Sequence, residues 1–146
     1  MNSVEPDLKL GGFSLWVLGR QFPDAEDYWD GNWLSVRALV EAPGAMVRAE
    51  GPLVLAQELA RFAKQLEKIN ATLSGEAELR CMEPNLEIAI QCGSLGHVAA
   101  KIKITPDHLT QSHEFKFDLD QSYLGPLVIG CKGVLSRWPV RSQSSA

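Results

Sequence analysis

One interior segment of this chain spaces its apolar residues by three and four, whereas the segments on both sides of it alternate apolar and polar residues. The stripe comprises Leu55, Leu59, Phe62, Leu66, Ile69 and Leu73. This spacing is typical of a helix that buries one face. Gly51 and Pro52 precede it, and a proline fits the first helical turn, where no N–H is needed. The sequence therefore predicts one long amphipathic helix opening near Pro52 and packing on a sheet, although the stripe also fits a homodimer seam.

The alternating segments predict about eight β-strands. They cover residues 8–10, 13–22, 33–41 and 46–50 before the helix, and 77–81, 86–92, 98–104 and 114–119 after it. Short turns join most neighbours, and strands linked in this way pair antiparallel. We therefore expect an antiparallel meander in each half of the chain.

Helical spacing returns at the C-terminal end, in Leu124, Leu127, Val128, Cys131, Val134, Leu135 and Trp138. Asp120 or Ser122 is a suitable N-cap, and Pro139 ends the segment. Its three glycines each cost a helix about 1 kcal/mol, which leaves helix or strand open for residues 122–138. The predicted class is α+β, a mostly antiparallel meander with a long helix and a C-terminal helix. We expect one globular domain over residues 1–141 and a flexible polar tail at 142–146.

The composition of the chain indicates the kind of cellular compartment in which it folds. A chain of 146 residues with 45% apolar residues can bury a core without disulfides or metals. The N-terminus lacks a signal-peptide pattern and no apolar run reaches membrane-spanning length, so we expect a cytoplasmic protein without a membrane partner. Cys81, Cys92 and Cys131 are odd in number and lie in apolar runs, which predicts reduced core thiols.

Charge narrows the class of partner. The net charge of −4 argues against nucleic acid, because neutralising phosphates requires a basic patch. Acids outnumber bases nine to four in the first 60 residues, whereas the remainder is nearly balanced. An acidic face of this kind steers basic partners, although a solvated face without a partner has the same composition.

The chain carries no motif for catalysis, a metal or a cofactor. His97, His108 and His113 are scattered, and no Cys-x-x-Cys or His-x-x-x-His pair supports zinc. The acids between residues 24 and 30 do not follow the EF-hand spacing. No Gly-x-Ser-x-Gly elbow or glycine-rich phosphate loop is present. We therefore expect a protein that is not an enzyme and that needs no metal or cofactor.

The segment at residues 21–34 joins two predicted strands and concentrates both acids and aromatics. It contains Asp24, Glu26, Asp27 and Asp30 beside Phe22, Tyr28, Trp29 and Trp33. Exposed aromatics beside charge are typical of protein contacts. The alternative is that Phe22 and Trp33 fill the core while the acids face water. We assign Trp33 to the core because it begins a strand.

Residues 21–34, Gln-Phe-Pro-Asp-Ala-Glu-Asp-Tyr-Trp-Asp-Gly-Asn-Trp-Leu, resemble the Phe-Pro-acidic…Asp-x-Asn-Trp-Leu signature of the WapI-type immunity proteins. These are small cytoplasmic partners of the toxic ends of bacterial contact-dependent wall-associated proteins. Weaker matches occur at residues 58–59, 82–86 and 117–120. Gly51 and Gln57 depart from the family, which tends to show an aspartate and a tryptophan there.

The resemblance implies a protein that binds a toxin domain, often a nuclease, and blocks it without catalysis. A nuclease presents a basic groove, so an acidic loop with aromatic anchors is a plausible decoy. On this hypothesis Asp24, Glu26, Asp27 and Asp30 steer the cognate toxin domain, and Tyr28 and Trp29 anchor it. Two other functions stay open. One is a structural or homo-oligomeric domain, and the other is an enzyme or a small-ligand or metal-binding protein that uses the acidic loop.

Overall fold

The computed structural model describes residues 4–141 and contains two four-stranded antiparallel sheets and two helices. The first sheet has β1 (Leu8–Leu10), β2 (Phe13–Arg20), β3 (Trp33–Ala42) and β4 (Ala45–Leu55) in chain order. Helix α1 (Ala56–Thr72) follows. The second sheet has β5 (Gly75–Arg80), β6 (Leu86–Cys92), β7 (His97–Ile104) and β8 (Glu114–Asp120), again in chain order, and helix α2 (Leu124–Arg137) ends the fold.

This arrangement confirms the predicted α+β class with eight strands and two helices. The strands form two sheets because α1 separates β4 from β5, so these two strands do not pair. Helix α1 packs against α2 and β5, and α2 packs against β1. In the described part of the chain, neither helix is long and apolar enough to span a bilayer. The predicted tail at 142–146 lies outside the described residues.

Alternation in the strands places one face of each sheet in the core. Leu34, Val36, Ala38 and Val40 of β3 are fully buried, as their spacing predicts. The inward faces of β6 and β7 are equally apolar, and the buried residues of both sheets and both helices form one core cluster. Burying this apolar surface at about 25 cal/mol per Å² is the main term that stabilises the fold.

The predicted start of the long helix is wrong, whereas its end at Thr72 lies within the predicted stop at residues 70–75. Pro52 lies inside β4, where it pairs with Ser35, and α1 begins only at Ala56. Because β4 is an edge strand with a bulge nearby, the missing N–H of Pro52 costs little, and the buried run from Leu53 to Leu55 extends the strand. At the other end, Leu73 caps the helix in a left-handed conformation (φ 56°) and is exposed.

The C-terminal segment is a helix, so the choice between helix and strand that its glycines left open for residues 122–138 is decided in favour of the helix. Asp120 caps the short 3₁₀ turn before α2, since its Oδ1 accepts a hydrogen bond from the amide of Ser122 at 2.8 Å. Gly130 lies against the backbone of Asp7, where a Cβ atom would clash. The glycine therefore costs helix propensity but allows α2 to approach β1 closely.

The cysteines are unpaired thiols, as predicted. Cys92 and Cys131 are buried and Cys81 is partly buried. Burial raises the pKa of Cys131 to about 12, so its thiol stays protonated at neutral pH. The pKa of Cys81 is also raised, mainly by burial and then by the charges of Glu58 and Glu87.

Candidate partner-binding site

The acidic loop comprises residues 21–32 between β2 and β3, at the end of the first sheet where β4 leads into α1. A short 3₁₀ turn at Asp30–Asn32 closes it, and Trp33 pairs with Leu55 at the first position of β3. The loop is therefore fixed at both ends by a sheet and lies beside the N-terminus of α1.

Asn32 holds the loop to the C-terminal segment. Its side chain is fully buried, and its Nδ2 donates to the carbonyl oxygens of Tyr28 (2.7 Å) and Arg141 (2.8 Å). Its Oδ1 accepts from the amide of Arg141 at 2.8 Å. Both amide hydrogens and the oxygen are thus used inside the protein.

Two arginines bind the main chain of the loop. Arg20 donates from Nη1 to the carbonyl of Gly31 (2.6 Å) and from Nη2 to that of Pro139 (2.5 Å). Arg141 donates from Nη1 to the carbonyls of Pro23 (3.0 Å) and Ala25. Burial, and then the nearby charge of Arg141, lower the pKa of Arg20. The guanidinium groups therefore shape the loop without neutralising its carboxylates.

Asp27 has a structural role in the loop. Its Oδ2 accepts hydrogen bonds from the amides of Asp30 (2.9 Å) and Trp29 (3.2 Å), and its carbonyl accepts from Gly31 (3.1 Å). The bond from the Asp30 amide is the main reason that the pKa of Asp27 lies below its usual value. Asp27 therefore builds the turn that presents the neighbouring side chains.

Three aromatic side chains of the loop are exposed. Trp29 is 52% exposed, Phe22 46% and Tyr28 37%. The rings of Tyr28 and Trp29 meet edge to face with centroids 5.0 Å apart, a favourable geometry for two aromatics. Trp33 is half-buried at the start of β3. The interpretation that Phe22 fills the core is therefore wrong, because nearly half of its surface is in contact with solvent.

The four carboxylates of the loop are exposed and have no cationic partner within residues 4–141. They are Asp24, Glu26, Asp27 and Asp30. The ion pairs in this part of the chain join other residues, as between Arg37 and Glu50 and between Arg137 and Asp7. The predicted site residues thus lie together on one exposed loop, with their negative charge uncompensated by the protein's own salt bridges.

The first turn of α1 connects this loop to the second sheet. Gln57 donates from Nε2 to the carbonyl of Tyr28 at 3.2 Å, while its enclosed Oε1 has no hydrogen-bond partner in the described chain. Glu58 is buried (6% exposed), and its carboxylate accepts from the amides of Leu55 (2.8 Å) and Met82 (2.7 Å). Burial raises the pKa of Glu58.

Sequence reasoning overlooked Asn32, Arg20 and Arg141 as the supports of the loop. The partners of Asn32 and Arg20 in the C-terminal segment are 109 and 119 positions away, so no local pattern reveals the contacts. The available signal was an asparagine directly before a strand, inside a motif rich in aromatics, where a polar residue is buried only if it is hydrogen-bonded.

No curated protein and no solved structure matches the chain. The model of the immunity protein WapI-like family matches residues 7–139, which is nearly the whole chain and includes both sheets, both helices and the acidic loop. The protein is therefore a member of the WapI-like immunity protein family.

Proposed function

We propose that this protein is a non-enzymatic immunity protein that binds a toxin domain through the acidic loop and blocks it. The observation that carries the proposal is the loop itself, which presents three exposed aromatic side chains and four exposed carboxylates that have no cationic partner within residues 4–141. Membership of an immunity protein family supports a protein toxin as the partner.

The loop is suited to tight binding because it is already ordered. Asn32, Arg20 and Arg141 fix its main chain by hydrogen bonds, so little conformational entropy is lost when a partner binds. The carboxylates would speed association with a basic surface, and burial of Trp29 and Tyr28 would slow dissociation.

We further propose that the toxin is a nuclease and that the complex forms in the cytoplasm. A nuclease must present basic groups to phosphate, and an array of carboxylates is complementary to such a groove. The reduced thiols support an intracellular location, since free cysteines persist in a reducing compartment.

The experiment is co-expression with the toxic C-terminal domain of a large secreted protein, which is sought first among the genes next to the one that encodes this chain. Cells that produce this chain should survive the toxin and the two proteins should copurify in a fixed ratio, whereas cells that produce the toxin alone should die. Survival without copurification would contradict a binding mechanism. Failure of the chain to protect the cells would contradict the immunity function itself.

A second experiment distinguishes the immunity function from the homo-oligomer alternative. The purified chain, run alone at increasing concentration by sizing with light scattering, should keep the mass of one chain. A concentration-dependent dimer that dissociates on addition of the toxin would mean that the same surface serves both contacts.

A further inference from the structure

The end of the molecule that carries the acidic loop also carries two exposed apolar side chains from other parts of the chain. Met82, in the turn between β5 and β6, is 59% exposed. Leu109, in the turn between β7 and β8, is 84% exposed. Neither side chain contributes to the core, so the packing of the fold does not account for them.

Contacts in the first turn of α1 place Met82 beside the loop. Gln57 binds the carbonyl of Tyr28 and the next residue, Glu58, binds the amide of Met82 at 2.7 Å. Two consecutive helical residues thus bridge the loop and the β5–β6 turn. An interface of ordinary size covers about 800 Å² on each partner, which is ample to include both.

Asn85 joins the β7–β8 turn to the same surface. Its Nδ2 donates to the carbonyls of Thr105 (2.9 Å) and Pro106 (3.3 Å), and its carbonyl accepts from the amide of Thr105 at 2.9 Å. The turn that follows is closed by Asp107, which accepts from the amide of Leu109 at 3.1 Å. The three loops are therefore linked in a row by hydrogen bonds.

The charge along this row has one dominant sign. Glu83 and Asp107 lie in the two turns and add to the four carboxylates of the acidic loop. Exposed apolar side chains within an acidic surface are typical of a protein interface. Burial of the apolar side chains slows dissociation of the complex, and the surrounding charge orients the partner as it approaches. The complementary partner has a basic face that contains apolar contact points.

We infer that Met82 and Leu109 form a second anchor region of the toxin-binding surface, so that one basic toxin domain contacts the acidic loop and both turns of the second sheet at once. This inference rests on the proposed function. It extends the surface from one loop to three.

The test compares two double variants in binding to the purified toxin domain that the co-expression experiment identifies. Met82→Gln with Leu109→Gln removes the apolar anchors without changing charge. The matched control is Met46→Gln with Leu95→Gln, because these side chains are also highly exposed (65% and 104%). Met46 lies near the start of β4 and Leu95 in the turn between β6 and β7, so both are at the ends of the sheets away from the acidic loop.

The anchor variant should bind at least tenfold more weakly through faster dissociation, and the control should bind like the wild type. If the wild type binds and the anchor variant binds equally well, the inference is overturned while the proposed function stands. If the wild type does not bind the toxic domain, both fail. Equal losses in the anchor variant and the control would overturn the inference too, since the effect would not be specific to this end of the molecule.

Discussion

The side chain of Asn32 and the main chain of Arg141 form two reciprocal hydrogen bonds, each 2.8 Å long, across 109 positions of sequence. The side-chain amide of Asn32 also donates a hydrogen bond to the carbonyl of Tyr28. This arrangement makes the conformation of the acidic loop depend on the segment after α2.

Replacement of Asn32 by Ala should lower the free energy of unfolding by about 3 kcal/mol, because a buried amide is lost and three main-chain groups lose their partner. Urea denaturation measures the change. Asn70→Ala, at an exposed position of α1, is the control and should change stability by no more than about 0.5 kcal/mol. A loss below about 1 kcal/mol for Asn32→Ala would contradict the role assigned to this side chain.

Arg141→Ala should loosen the loop without unfolding the protein. It removes the bonds to the carbonyls of Pro23 and Ala25 but keeps the main-chain bonds to Asn32. Amide hydrogen exchange within residues 22–31 should therefore accelerate, since local opening becomes easier. Arg137→Ala, at the last residue of α2, is the control, because Arg137 pairs with Asp7 and has no hydrogen bond to the loop in the described structure. Unchanged exchange in Arg141→Ala would show that its guanidinium does not support the loop.

Glu58 should give the stability a distinct pH dependence. Its pKa in the folded protein is raised above the ordinary value of 4.5 by burial, so the folded state holds this proton more tightly than the unfolded state. The contribution of Glu58 is then fully present below about pH 4.5 and is lost as the pH rises through the folded pKa.

Glu58→Gln removes this titration and also leaves one oxygen to serve two amides, which costs about 1–3 kcal/mol. Urea denaturation between pH 4 and pH 7 should show the advantage of the wild type over this variant shrinking as the pH rises. Glu41→Gln, at an exposed position of β3 that has no ion pair within residues 4–141, is the control. An advantage that grows with pH would contradict the sign of the shift.

Trp29→Ala should affect the complex and not the fold. Because half of this side chain is exposed, the free energy of unfolding should change by no more than about 0.5 kcal/mol. Dissociation of the toxin should become about tenfold faster or more, as expected for an aromatic anchor. Trp29→Phe should retain part of the effect of the ring, and Met46→Ala at the opposite end serves as the control. An unchanged dissociation rate would exclude Trp29 as an anchor.

Local patterns in the sequence predicted most of the fold. Alternation located all eight strands because each sheet buries one face, and the stripe through Phe62 and Leu66 located α1. The division into two sheets and the true start of α1 depend on how β4 pairs with β3, where tertiary pairing keeps Pro52 in a strand. The preference of proline for the first turn of a helix gives no information about that strand pairing.

The same distinction holds for the site. The composition of residues 21–34 was sufficient to predict an exposed loop with Tyr28 and Trp29. It could not separate Asp27, which builds the turn, from the other acids, nor could it reveal Asn32 and Arg20 as supports. Their contacts with Pro139 and Arg141 form only when the ends of the chain come together.

The most direct test of the account is the rate at which the protein associates with the toxin domain, measured by stopped flow at low and at physiological salt. The test variant is Asp24→Asn, Glu26→Gln and Asp30→Asn, which keeps Asp27 and so keeps the turn. The matched control is Glu76→Gln, Glu87→Gln and Asp118→Asn on the outer face of the second sheet, with the same change in net charge.

The wild type and the control should associate rapidly at low salt and slow steeply as salt is added. The loop variant should associate at least about tenfold more slowly at low salt and depend less steeply on salt, because three of the steering carboxylates are gone. A loop variant that associates as fast as the wild type, with a control that is slowed, would contradict the claim that the acidic loop is the face that meets the toxin.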